Sequence, residues 1–165
     1  MKNLICIIAG EPNSINSEII GKVLKIKKKL NRQNFFIIGN YKLIKKQFEQ
    51  LKFNIKLKKI IKIENNNFTK NNFVLDVPLV FKNPFKIPIK NKRLYIMNSF
   101  KIAINLAKKK KVAGFINCPI NKFETFGLRT MGITEFLAKK EKVFGKEAML
   151  IYNKSLSVSP ITTHI

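Results

Sequence analysis

Gly114-Phe115-Ile116-Asn117-Cys118-Pro119-Ile120-Asn121-Lys122, followed after a short connection by Gly132-Ile133-Thr134-Glu135-Phe136, is the stretch around which the fold is read. Residues 112–116 form a short apolar run behind Lys111, the pattern of a buried strand. Pro119 lacks an N–H and cannot continue a central strand, so the chain leaves the sheet near Cys118. Gly127 and Gly132 punctuate a polar loop, and Thr134-Glu135 stands where a helix can open. A strand running into a polar loop and a helix N-terminus is where α/β proteins place ligands, although an ordinary connection has the same pattern.

Working outward, Leu4 to Ala9 is a continuous apolar run rich in β-branched residues, consistent with a strand buried on both faces. Residues 10–16 turn out of it, and a helix is expected from Ser17, with Asn16 as N-cap and Glu18 in the first turn. Ile19, Val23, Ile26 and Leu30 give that helix an apolar stripe. A second strand follows at 35–38, then a basic helix over 42–51 with Leu43, Ile44, Phe48 and Leu51 inward. Alternation over 53–63 predicts a half-exposed strand, and 73–79 another. After an irregular segment at 83–92, a helix is expected over 93–109 with Met97, Phe100, Ile104 and Ala107 on one face. Beyond Phe136 a short helix ends near Lys140, and strands are expected at 148–152 and 156–162. Strands alternating with helices predict α/β layers with a largely parallel sheet.

Charge would ordinarily point to nucleic acid or an anionic membrane: the net charge is +24 and the pI near 10.2. Only Arg32, Arg93 and Arg129 are arginines, which leaves 30 of the 33 basic residues as lysine. Nucleic-acid sites favour arginine for bidentate contacts and interleave aromatics for stacking. Here Lys, Asn, Ile and Phe rise together, as AT-rich coding would produce. Lys42, Lys45, Lys46, Lys52 and the run 108–111 therefore read as solvated faces, with no nucleic-acid partner. Cys6 and Cys118 form no CxxC pair and read as buried free thiols of a reducing compartment. The apolar run after Met1-Lys2 is too short for a signal peptide, and no segment has the length of a transmembrane helix. A cytoplasmic location with no membrane partner is the expectation.

Asn117-Cys118-Pro119-Ile120-Asn121-Lys122 resembles the Thr-Gly-Pro-x-x-Lys turn of the 4-hydroxythreonine-4-phosphate dehydrogenases, and Gly132-Ile133-Thr134-Glu135-Phe136 resembles their Gly-His-Thr-Glu-Phe. Gly10-Glu11-Pro12-Asn13-Ser14-Ile15-Asn16-Ser17-Glu18-Ile19 is similar to their Gly-Asp-Pro-x-Gly-Ile-Gly-Pro-Glu-Ile, and Thr162-Thr163-His164 matches their Thr-Thr-His. Four ordered matches across the whole chain weigh more than any one. The resemblance implies the isocitrate/isopropylmalate-dehydrogenase-like fold, of which 1–165 is a truncated, N-terminal portion without an internal linker.

The resemblance further implies NAD-dependent oxidation of a small phosphorylated substrate, 4-hydroxythreonine 4-phosphate, with decarboxylation, in pyridoxal 5′-phosphate biosynthesis. A divalent metal (Zn, Mg or Co) and a homodimer belong to the same expectation. The residues alone would not give NAD, since no GxGxxG follows Gly10. His164, the only histidine, lies in the segment that supplies one of the family's three histidine ligands. The other two come from later in sequence and have no counterpart here, so this fragment alone is expected to be inactive. Thr134 matches the substrate-contacting threonine; it also suits a helix N-cap.

Departures from the pattern put the substrate in question. Ile133 stands where a substrate-binding histidine is usual, and an alkyl group donates no hydrogen bond. Ser14 and Asn16 replace two glycines, which predicts a first loop of different shape. Asn121 occupies a position that is often His. No catalytic carboxylate pair is expected, because Glu11, Glu18 and Glu135 have helix-start explanations. A dehydrogenase acting on another phosphorylated hydroxy acid is one alternative; a non-catalytic basic α/β module binding nucleic acid is the other.

Overall fold

Phe35-Phe36-Ile37-Ile38-Gly39 is buried at every position and forms the centre of a parallel sheet. Such a run, with no alternation, belongs to a strand covered on both faces. The computed structural model describes residues 4–27, 34–64, 67–127 and 132–160, which divide into two compact units, 1–125 and 126–165.

In the first unit, β1 (Ile5–Ile8), β2 (Phe35–Gly39), β3 (Leu57–Ile60), β4 (Asn72–Asp76) and β5 (Gly114–Asn117) form one sheet in the order β3-β4-β2-β1-β5. Every pairing is parallel, with Ile7 opposite Ile37 on one side and Ile116 on the other. Helices α1 (Asn16–Ile26), α2 (Tyr41–Gln50) and α3 (Ile89–Lys108) connect them. Ile20 and Leu24 of α1, and Ile44 and Phe48 of α2, pack with Phe35, Ile37 and Val74 in one core cluster. The run β1-α1-β2 moves one way along the sheet and β4-α3-β5 the other, so right-handed crossovers place α3 on the opposite face. Tyr95, Ile96, Phe100 and Ala103 are its buried apolar residues, and the Phe100 ring meets Phe115 edge-on.

The buried faces of two helices differ from expectation. Helix α1 buries Ser17, Ile20, Gly21 and Leu24, while Ile19 and Ile26 are exposed and Leu30 lies outside the described residues. Gly21 explains the rotation: a Cβ there would meet the Phe53 ring at 2.8 Å, so the helix seats its glycine on that ring. In α3 only Phe100 of the expected stripe is fully buried, and the helix starts at Ile89 rather than Arg93, with Pro88 as N-cap. Pro88 there leaves the first turn intact because a proline just before a helix removes no internal bond. The alternation over 53–63 yields a strand only at 57–60; Phe53 and Ile55 instead pack against the core from outside the sheet.

Lysine is not uniformly solvated. The lysines at 42, 45, 46, 52 and 108–111 are exposed as expected. Lys27 is buried: its Nζ donates to the carbonyls of Phe68 at 2.9 Å and Asn71 at 3.1 Å and lies 4.5 Å from the Phe35 ring centre. Burial pulls its pKa down from the ordinary lysine value of 10.5 to about 8. The unfolded chain then binds the proton more tightly, so this residue's contribution rises between about pH 8 and 10.5 and is lost as pH falls through 8. Denaturant titrations of wild type and Lys27→Met across that window should diverge in favour of wild type as pH rises; parallel profiles would contradict this.

The second unit contains α5 (Ile133–Lys140) and an antiparallel pair of two-residue strands, β6 (Ile151–Tyr152) and β7 (Ser157–Val158). Among the described residues, the expected strands at 148–152 and 156–162 are represented only by these two short strands, which form a sheet of their own. Phe126 and Phe136 stack with ring centres 4.6 Å apart. No helix among the described residues is long and apolar enough to cross a membrane.

Candidate functional site

The sheet order reverses between β1 and β5: β2 lies on one side of β1 and β5 on the other. At such a switch point the loops leaving the carboxyl ends of neighbouring strands part to opposite faces and open a crevice. The two loops here are 9–15 after β1 and 118–121 after β5, the segments singled out in the sequence. A short helix, α4 (Lys122–Phe126), follows the second; it was not expected, and Asn121 opens it by accepting from the Glu124 N–H at 3.1 Å.

Backbone bonds join the loops: Cys118 N–H donates to the Ile8 carbonyl at 2.9 Å and Glu11 N–H to the Pro119 carbonyl at 3.1 Å. Gly10 adopts φ +72°, and a Cβ there would meet Asn16 Nδ2 and the Pro119 carbonyl oxygen at 2.7 Å. Only glycine combines that backbone with that clearance. Asn16 is the first residue of α1 rather than its N-cap, a place taken by Ile15 without a side-chain cap. Its amide faces the carbonyls of Ala9 at 3.1 Å, Glu11 at 3.3 Å and Pro119 at 2.7 Å. Ser14 Oγ donates to the Glu11 carbonyl at 2.6 Å and accepts from Asn16 N–H at 3.2 Å. The two residues standing in glycine positions of the family pattern thus close the loop with their own side chains.

Glu11 is not a helix-start residue. It is buried, and its Oε1 pairs with the Lys92 ammonium of α3 at 3.1 Å. The same ammonium pairs with Glu124 of α4, so two carboxylates converge on one lysine. This corrects the helix-start reading of Glu11: its carboxylate and that of Glu124 are ion-pair partners of Lys92. Burial by itself would lower the Lys92 pKa, but hydrogen bonds and charge from Glu124 and Glu11 outweigh it and raise the value. Nothing in the sequence marks Lys92 among 29 other lysines; only the crossover of α3 brings it beneath the loops.

Asp76, the only aspartate, ends β4; its Oδ1 accepts from Tyr41 N–H at 2.8 Å, at the start of α2, and its Oδ2 pairs with Lys59 at 2.7 Å. Cys6 and Cys118 are free and buried as expected. Burial pushes the first thiol up to about 12 and the second to about 11. Neither forms thiolate at neutral pH, so an aromatic disulfide reagent should label neither cysteine in native protein and both after denaturation. Rapid native labelling of Cys118 would show an open loop.

Of the residues expected to touch ligands, Thr134 is exposed in the first turn of α5, whose N-cap is Gly132, so the N-cap role is not its own. The Glu135 carboxylate folds over Gly132, where a Cβ would meet Oε2 at 2.7 Å. Thr162, Thr163 and His164 lie outside the described residues.

The loop after β5, though not the one after β1, falls within the segment recognised by a family model. Residues 31–165 match the model described as pyridoxal phosphate biosynthetic protein PdxA. The chain belongs to the PdxA family. It is 32% identical over 170 residues to 4-hydroxythreonine-4-phosphate dehydrogenase of Sulfurihydrogenibium sp. (strain YO3AOP1), covering 98% of this chain and 49% of that one. The enzyme of the same name from Aquifex aeolicus (strain VF5) is 29% identical over 167 residues, covering 100% and 51%. A crystal structure of a 4-hydroxythreonine-4-phosphate dehydrogenase from Burkholderia phymatum superposes with a TM-score of 0.86 at 22% identity, over all of this chain and 51% of that one. The chain therefore spans about half the length of the PdxA relatives it matches, and its fold is the isocitrate-dehydrogenase-like α/β fold of that family.

Proposed function

We propose that this chain forms the N-terminal half of an NAD-dependent dehydrogenase that oxidises 4-hydroxythreonine 4-phosphate, with decarboxylation, in pyridoxal 5′-phosphate biosynthesis. The supporting observation is that the loops after β1 and β5, both of which resemble family motifs in sequence, meet at one topological switch point. In this reading the loops shape and dry one wall of the substrate crevice, and Thr134 supplies a hydroxyl to the substrate. The working protein is a cytoplasmic homodimer without nucleic-acid or membrane partners.

His164 is proposed as a ligand of the divalent metal that the resemblance implies. Among the described residues no three His, Cys, Asp or Glu side chains come together, so they offer no cage for that ion and no step is assigned to it. Ile133, half-buried in the first turn of α5, favours a second reading, a related phosphorylated hydroxy acid as substrate. It removes one polar partner from the position where the family pattern has a histidine.

The test uses the protein encoded by the whole reading frame, with NADH formation followed for 4-hydroxythreonine 4-phosphate and for related hydroxy acids. Thr134→Ala should lower kcat/KM by an amount worth about 1–3 kcal/mol, as for a lost hydrogen bond to a charged group. Because Thr134 is exposed and makes no cap bond, stability should stay within about 0.5 kcal/mol of wild type. An unchanged kcat/KM would remove Thr134 from the site. Faster turnover of another hydroxy acid would select the second reading.

A further inference from the structure

The loops after β1 and β5 are tied by side chains as well as by backbone, and the ties come from two directions. From the side of α1, Asn16 Nδ2 reaches three carbonyls, one of them the Pro119 oxygen across the switch point at 2.7 Å. From α3, the Lys92 ammonium reaches Glu11 in the first loop and Glu124 in α4. Asn16, Glu11 and Lys92 are all buried, which shields both ties from water. A primary amide has only two donors for its three acceptors, and the shortest contact is the one to Pro119.

We propose that Asn16 and Lys92 form a two-point latch that positions residues 118–125 against the loop after β1. Asn16 holds the turn at Pro119, and Lys92 holds the start of α4 through Glu124 while anchored on Glu11. Both are positioning residues for the crevice edge, and this rests on the reading of that edge as the substrate side. The family pattern has glycine where this chain has Asn16, and glycine has no side chain to make the first tie. That half of the latch therefore depends on the asparagine this sequence has there.

Hydrogen exchange by mass spectrometry on the full chain tests the latch without substrate. Asn16→Asp keeps the size but replaces the donor by an acceptor facing three carbonyls, and Glu124→Gln removes one charge from a partly exposed position. Amides of 118–125 should exchange about tenfold faster in Asn16→Asp, and severalfold faster in Glu124→Gln. Amides of β2 and β4 should change less than about twofold, since local opening need not involve the rest of the sheet. Equal acceleration of the loop and of β2 and β4 would make these residues general stabilisers and overturn the proposal. So would unchanged exchange at 118–125. If Asn16→Asp does not fold, Glu124→Gln decides alone. Failure of wild-type turnover with the exchange result intact would reject the functional reading and leave the latch standing.

Discussion

Replacing Gly10 by Ala is expected to destabilise the chain by about 2–4 kcal/mol, combining a left-handed backbone penalty with overpacking. Gly10 sits at φ +72°, and the new Cβ would lie 2.7 Å from Asn16 Nδ2 and from the Pro119 oxygen, and 2.8 Å from the Cys118 oxygen. Two of those three neighbours are backbone. They cannot retreat cheaply, because Cys118 N–H is bonded to the Ile8 carbonyl and the Pro119 carbonyl accepts from Glu11 N–H. Relief therefore requires parting the loop after β1 from the loop after β5. Urea unfolding monitored by circular dichroism measures the loss; a cost below about 1 kcal/mol would mean the two loops are not in contact as described.

Lys92→Met is expected to cost about 3–5 kcal/mol, because removing one partner of a buried ion pair leaves charge without compensation. Glu11 and Glu124 would face each other with side chains only 8% and 26% exposed. The pH dependence has a definite sign. Since the Lys92 pKa is raised above 10.5, its contribution is fully present below that value and is lost as pH rises through the higher folded value. The difference between wild type and Lys92→Met should thus be flat through neutrality and shrink in strong alkali. A difference that vanished at pH 7 would show the ammonium to be solvated.

Much of the fold was legible because strong local signals coincide with it. The apolar runs at 4–9, 35–38 and 112–116 became β1, β2 and β5, and Pro119 marked the exit from the sheet. Helix α2 buried Leu43, Ile44 and Phe48 as its periodicity required. The misread faces of α1 and α3 share a cause: apolar residues are abundant on both sides of these helices, so tertiary contacts choose the face. Gly21 against Phe53 decides it for α1, and Tyr95 beneath Gly39 contributes for α3, with its hydroxyl accepting from Asn40 N–H. The site was half legible. Its loops carried matching motifs, whereas Lys92 and Glu124 had no motif and were hidden by a lysine-rich background. Asn16 stands out in the sequence as a departure from the family pattern, but its contact is with a carbonyl 103 residues away.

The central claim is that the carboxyl ends of β1 and β5 form the ligand edge of this chain. Backbone amide shifts recorded by NMR during titration with 4-hydroxythreonine 4-phosphate address it most directly. The expected result is saturable movement of amides in residues 10–16 and 117–125, with β3 and β4 at the far side of the sheet unmoved. Shifts confined to β3 and β4, or no movement at 10–16 and 117–125 at millimolar ligand, would contradict the account.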